Sequence, residues 1–255
     1  MASAHRIRMG FRAPLLATVL GLALAGCGHA VADRGPAEHR SFAFTGKRLT
    51  IETTEGSLVV EAADVRKVEV TRWFRGRAVL GVTPRATWDL TGATLALRTH
   101  CAGVVSSCSI RHKVLVPRGL AVAVRAGDGK VEAEDIGTPL NISTANGSVQ
   151  VKDCSGDLTL TSHNGKVTAT GTGARTVRAR SGNGSVQLGF ATVPDRVDVT
   201  SGNGKVTVEL PPASYDVTAR SSNGSTHVDV PVKRHSGHVV TVRVKNGSAT
   251  VRTAT

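Results

Sequence analysis

Hydrophobic residues recur at every second position of this chain from Phe42 almost to its C-terminus. Leu49/Ile51, Leu58/Val60, Val68/Val70, Trp88/Leu90, Leu95/Leu97, Val114/Val116 and Val122/Val124 are each two residues apart. Side chains of a β-strand alternate between its faces, so this period predicts strands with one buried face. No window keeps the three-and-four spacing of a helix, and the chain reads as all-β. One stretch breaks the pattern. "RWFRGRAVLGVTPR" (72–85) is punctuated by Gly and Arg and predicts a long hairpin or loop.

Beyond residue 120 the alternation itself repeats. Asp128, Asn146, Asn164, Asn183, Asn203, Asn223 and Asn246 each precede a glycine, at intervals of 18, 18, 19, 20, 20 and 23. Two positions before the Asn stands a small residue, as at Ser162, Ser181, Ser201 and Ser221, and apolar residues precede it at two and four. A fixed period of this kind marks a repeat architecture. Two folds satisfy it. One is a β-solenoid of about seven short coils preceded by a β-rich entry segment, with Asn-Gly at the corners. The other is an antiparallel β-sandwich, a meander of hairpins, in which Asn-Gly forms a two-residue turn and Val199 lies opposite Val208. Near-constant repeat length and the small residue, suited to the cramped inside of a corner, favour the solenoid. In it, equivalent positions stack and the Asn side chains form a ladder.

Composition sharpens this. Aromatic residues are only 3% of the chain, so a core beyond residue 120 must be built from Val, Leu, Ala and Ile. A thin aliphatic core suits a layered or coiled β structure.

The N-terminus does not read as part of the fold. Arg6, Arg8 and Arg12 precede the short apolar run "APLLATVLGLALAG", which is shorter than the ~20 residues of a membrane span and fits a signal-peptide core. It closes on Leu24-Ala25-Gly26-Cys27, which resembles the bacterial lipoprotein lipobox. That resemblance implies a signal peptide over 1–26 and a mature N-terminus at a lipid-bearing Cys27. Two or more acyl chains would hold the protein to the outer face of the cytoplasmic membrane. Residues 27–41 read as the lipidated Cys and a flexible tether. A β domain over 42–252 follows, divided into entry strands (42–120) and Asn-Gly repeats (121–252).

An exported chain meets oxidising conditions, and Cys101 and Cys108, seven apart in "THCAGVVSSCSI", are expected to form a disulfide. So short a loop contributes only about 2–3 kcal/mol. Cys154 is left as a small buried side chain. The net charge is +13, and losing 1–26 with its three arginines leaves +10. Outside the cytoplasm such a charge faces anionic headgroups and wall polymers rather than nucleic acid.

The lipobox, the β-rich entry with its Cys pair and "VLVPRGL" (114–120), and the serial Asn-Gly-x-Val-x-Val coils together resemble the bacterial putative-adhesin family, a domain of unknown function. The resemblance covers roughly 42–252. It implies a β-helix-like solenoid and brings no catalytic residues.

The chain offers no HExxH, no Walker loop, no Rossmann fingerprint and no nucleophile elbow with partners. No metal or other cofactor is implied. The glycine-rich "SGNGS" has no helix behind it and reads as a turn. Asp153/Asp157 and Glu132/Glu134/Asp135 read as solvated strand ends rather than the paired carboxylates of a glycosidase. Three roles stand: a non-catalytic envelope module binding polysaccharide or anionic wall polymer, a structural or sensory spacer for a membrane protein, and a polysaccharide-active enzyme. The first is favoured, because a repetitive polar surface suits a polymeric ligand and a basic chain does not suit an acidic catalytic groove.

Overall fold

The computed structural model describes residues 36–79, 82–102 and 106–254, which hold 21 strands and no helix. The leader expected over 1–26, and Cys27, lie outside the described residues.

Each repeat is one coil made of two strands joined by a tight corner. The seven Asn-Gly or Asp-Gly coils are β8 (Ala121–Asp128) with β9 (Val131–Glu134), β10 (Leu140–Asn146) with β11 (Val149–Lys152), β12 (Leu158–Asn164) with β13 (Val167–Thr172), β14 (Thr176–Asn183) with β15 (Val186–Phe190), β16 (Arg196–Asn203) with β17 (Val206–Leu210), β18 (Asp216–Asn223) with β19 (Thr226–Asp229), and β20 (Val239–Asn246) with β21 (Ala249–Thr253). Val199 does not pair with Val208. It pairs with Ala179 and Val242, in parallel neighbours from other coils. The hairpin meander is thereby excluded and the solenoid stands.

The solenoid also runs into the entry segment. β2 (Arg48–Thr53) with β3 (Ser57–Ala63), and β6 (Thr94–His100) with β7 (Ser106–Pro117), are two further coils stacked on the repeats. One sheet runs β18-β20-β16-β14-β12-β10-β8-β2-β6-β5, and the other β1-β4-β7-β3-β9-β11-β13-β15-β17-β21-β19. Between them lie stacked aliphatic columns. Ile51, Val124, Ile142, Leu160, Ala179, Val199 and Val242 form one such column, each buried and in register with the next. Volumes compensate across the core: by distance from the corner, Leu160 stands opposite Ala169, and in the next coil Ala179 stands opposite Leu188. Burying one such Val or Leu side chain contributes about 1.5–3 kcal/mol.

Stacking does not follow chain order at either end. β2/β3 sits inside β6/β7, and the final coil β20/β21 sits between β16/β17 and β18/β19. The connection that crosses back is the one lengthened in sequence, the interval of 23 between Asn223 and Asn246. Tyr215 pins it. Its ring is fully buried, its hydroxyl donates to the Pro211 carbonyl at 2.7 Å, and its backbone bonds Pro231 and Lys233.

Three strands cover the opposite end. β4 (Val68–Ala78) pairs antiparallel with β7, β5 (Arg85–Thr91) with β6, and β1 (Ala37–Phe42) with β4. Two expectations change here. The segment 72–85 is no hairpin, because β4 and β5 belong to different sheets. The tether expected over 27–41 is a strand from Ala37 onward. "AEHRSF" alternates among polar residues, so hydrophobic periodicity cannot reveal it. It is held by backbone pairing and by Arg40, which donates to the Trp88 carbonyl at 2.8 Å.

Candidate functional site

The Asn-Gly corners form a continuous edge. Asn146 Nδ2 donates to Asp128, Asn164 to Asn146, Asn183 to Asn164 and Asn203 to Asn183, at 2.6–2.9 Å. The ladder then follows space rather than sequence. Asn246 donates to Asn203, and Asn223 donates to Asn246, each at 2.8 Å. All seven corner residues named from sequence therefore meet in one row.

Two neighbours make the row possible. The glycines stack so closely that a Cβ on Gly129 would come far inside van der Waals contact with the Gly56 carbonyl oxygen. Gly56, in "TEGS", is thus an eighth corner, legible only as a glycine after a strand. The small residues behind the corner supply a hydroxyl: Thr144, Ser162, Ser181, Ser201 and Ser221 donate to the carbonyls of Gly127, Gly147, Gly165, Gly184 and Gly247 at 2.7–3.2 Å. Size explains why the residue is small. The unmet carbonyl explains why it is most often Ser.

Cys101 and Cys108 are bonded to each other, Cys101 just after β6 and Cys108 within β7. At the opposite set of corners Cys154 is buried and its Sγ accepts from the Ile136 amide at 3.3 Å. Burial raises its thiol pKa to about 11, so it stays protonated and inert. Burial raises the Tyr215 phenol too. His112 is fully buried on β7, and neither of its ring nitrogens has a hydrogen-bond partner. Burial, then the charge of Arg72, lowers its pKa to about 4. Arg72 lies beside it in register, stacks 4.1 Å over Trp88 and donates to the Ala86 carbonyl and to Glu38. A sealed neutral imidazole of this kind cannot exchange protons with a substrate.

Charge separates the two outer faces. On β14, β16, β20 and β18 the outward positions carry Arg178, Arg180, Arg196, Arg243, Lys245 and Arg220 against only Asp198 and Asp216. On β15, β17, β21 and β19 they carry Arg252 and His227 against Glu209 and Asp229. Arg180, Arg243 and Arg220 share one row, with Thr200 between the first two. Arg243 lies 3.5 Å from Asp198; among the described residues Arg180, Arg220 and Lys245 have no acidic partner. A shallow groove of about 620 Å³ runs beside the row, floored by Ser143, Thr161 and Gly182 and flanked by Arg125, His163 and Arg180. Sequence reasoning missed these arginines as a group; period two can place each one outward, but the sidedness emerges only once strands are sorted into sheets.

The Toastrack DUF4097 family model matches residues 102–255. The chain belongs to the Toastrack family. Its described coils extend N-terminal of that match, to β2 and β3. A solved structure called a "putative adhesin", from Bacteroides fragilis, shares the fold at 12% identity and a TM-score of 0.51, covering 86% of this chain and 97% of its own. A second so named, from Parabacteroides merdae, gives 12% and 0.42 over 87% and 97%. A "putative cell adhesion protein" from Clostridium sporogenes gives 12% and 0.40 over 87% and 100%. No curated protein matches this Toastrack chain.

Proposed function

We propose that this chain is an exported, lipid-anchored, non-catalytic module of adhesin-like type that binds anionic polymers of the bacterial envelope. The observation that carries the reading is the one-sided cationic face on β14, β16, β20 and β18. Exposed Arg243 and Arg220 stand there one strand spacing apart, about 4.8 Å, and Arg180 two spacings from Arg243. Their rigid planar donors suit carboxylate or phosphate groups. A flat, repeating face makes many weak contacts with a chain molecule rather than one deep contact with a small one. The lipobox-like Leu24-Ala25-Gly26-Cys27 supports anchoring at Cys27 on the outer face of the cytoplasmic membrane, where such polymers lie.

The test is retention of the full chain, in detergent micelles, on immobilised anionic wall polymer. Binding at low salt that is lost at high salt is expected, since exposed charges are screened. Absence of retention at low salt overturns the reading. Mass spectrometry of the mature N-terminus tests the anchor: an unacylated N-terminus at any residue other than Cys27 overturns that part.

A further inference from the structure

A second cationic row, unlike the first, lies along the Asn edge. The residue after each corner glycine begins the opposite sheet. In spatial order these residues are Lys130, Ser148, Lys166, Ser185, Lys205, Ser248 and Ser225, and each neighbouring pair is tied by a backbone bond, Val131 N to Ser148 O, Val149 N to Lys166 O, Val167 N to Ser185 O, Val186 N to Lys205 O. Lysine therefore recurs on every second coil, with a serine between. Two strand spacings separate successive lysine positions along the edge, roughly 10 Å. All three lysines are exposed. Lys130 pairs with Glu132, whereas Lys166 and Lys205 have no acidic partner among the described residues. Between them lies a groove of about 290 Å³, lined by Ser185, Gln187, Lys205 and Thr207 beside Lys166, with the Glu209 carboxylate at its far side neutralised by its ion pair with Arg252.

We propose that this edge binds an extended acidic polysaccharide carrying one anion per two-sugar repeat. The inference rests on the polymer-binding reading above and names the ligand class for one surface. Two extended sugar residues span about the distance between Lys166 and Lys205. Each carboxylate then meets a lysine, and the neutral sugar between meets the Ser185 hydroxyl and the Gln187 and Thr207 side chains. A ligand charged on every residue would set half of its anions against serines. Charge spacing matched in this way gives specificity beyond simple attraction. The arginine face lacks this alternation, since Arg243 and Arg220 stand on adjacent strands.

The experiment compares two probe polymers on the full chain in detergent: hyaluronan, with one carboxylate per disaccharide, and polygalacturonate, with one per sugar. Lys166→Gln with Lys205→Gln should weaken hyaluronan binding at least tenfold and polygalacturonate binding by no more than about twofold. Ser185→Lys, which fills the gap, should raise polygalacturonate affinity and leave hyaluronan unchanged. Equal losses for both polymers, or no loss for either, overturn the alternating site while leaving the envelope reading intact. Failure of the unmodified chain to bind either polymer overturns both.

Discussion

Ser181 Oγ lies 3.0 Å from the carbonyl oxygen of Gly165, on the coil beneath it, and donates to it. Ser181 is buried, so no bulk water replaces that donor if the hydroxyl is removed. Ser181→Ala is therefore expected to cost about 1–2 kcal/mol, the penalty of an unpaired buried acceptor. Urea midpoints measure it. An unchanged midpoint would mean that the carbonyl finds another partner and that size alone selects the residue.

Glycines at turns separate into classes. Gly129 has φ of +120° and its Cβ would collide with backbone on the β2/β3 coil, which cannot move without shifting the stack. Gly119 has φ of +85° but open space around it, and Gly237 has only open space. Gly129→Ala should cost about 3 kcal/mol or more, Gly119→Ala about 1 kcal/mol, and Gly237→Ala under about 0.5 kcal/mol. Thermal melts of the three variants check the order. A Gly129→Ala melt equal to that of Gly237→Ala would contradict the stacked corner.

Much of this architecture was legible in the sequence because each coil restates the same local rule. Asn164, Asn183 and Asn203 predicted their own ladder, since residues at one phase of a stacked repeat must meet. The exchange of the last two coils was not legible. Val240, Val242 and Val251 offer β16/β17 much the same aliphatic surface as Val217, Ala219 and Val228 would, so alternation cannot choose between them. Only the lengthened interval before Asn246 hinted at a crossing. β1 was invisible for a related reason: an edge strand held by backbone bonds and arginine contacts needs no apolar face. The contact surfaces were half legible. Which residues point outward follows from period two, but which outward residues become neighbours depends on sheet order.

His112 gives the fold a dependence on acid. Its folded pKa of about 4 lies below the ordinary 6.5. Above pH 6.5 the imidazole is neutral in both states. As pH falls below 6.5 the unfolded chain binds a proton that the folded chain refuses, so stability drops until about pH 4 and then levels. The loss approaches 3 kcal/mol in order of magnitude. His112→Leu should abolish this loss. It should also leave the protein equal or more stable at pH 7, because the ring nitrogens form no hydrogen bonds there and Leu58 fills the neighbouring register position. Denaturation curves at about pH 7, 5.5 and 4, spanning the expected window, compare the two. A His112→Leu variant with the same acid sensitivity as the unmodified protein would place the effect elsewhere.

The arginine face can be removed without touching the core. Arg180, Arg243 and Arg220 are exposed, so changing all three to Gln should shift stability by no more than about 1 kcal/mol. Retention on anionic polymer at low salt should fall at least tenfold, and what remains should respond less to salt. Unaltered retention would show that this face is a solvated surface only.

Sequential stacking would make β20/β21 the end of the solenoid, and its loss would leave a shorter but intact stack. The observed order predicts otherwise. A chain ending at Gly237 loses an interior coil: β16 and β17 lose their partners on one side, Val197, Val199, Val206 and Val208 lose the covering layer of Val240, Val242, Ala249 and Val251, and β18/β19 is left with no strand to pair. Exposing four fully buried aliphatic residues costs about 6–12 kcal/mol, as much as the whole stability of many domains. The truncated chain should therefore lose its cooperative melt and its native hydrogen-exchange protection back through β14. Recovery of a sharp transition would mean that β18/β19 can slide into the vacated place against β16/β17. Tyr215, held by its hydrogen bond to the Pro211 carbonyl and by its backbone bonds to Pro231 and Lys233, opposes that slide, so any recovery should appear first when Tyr215→Ala is added to the truncation.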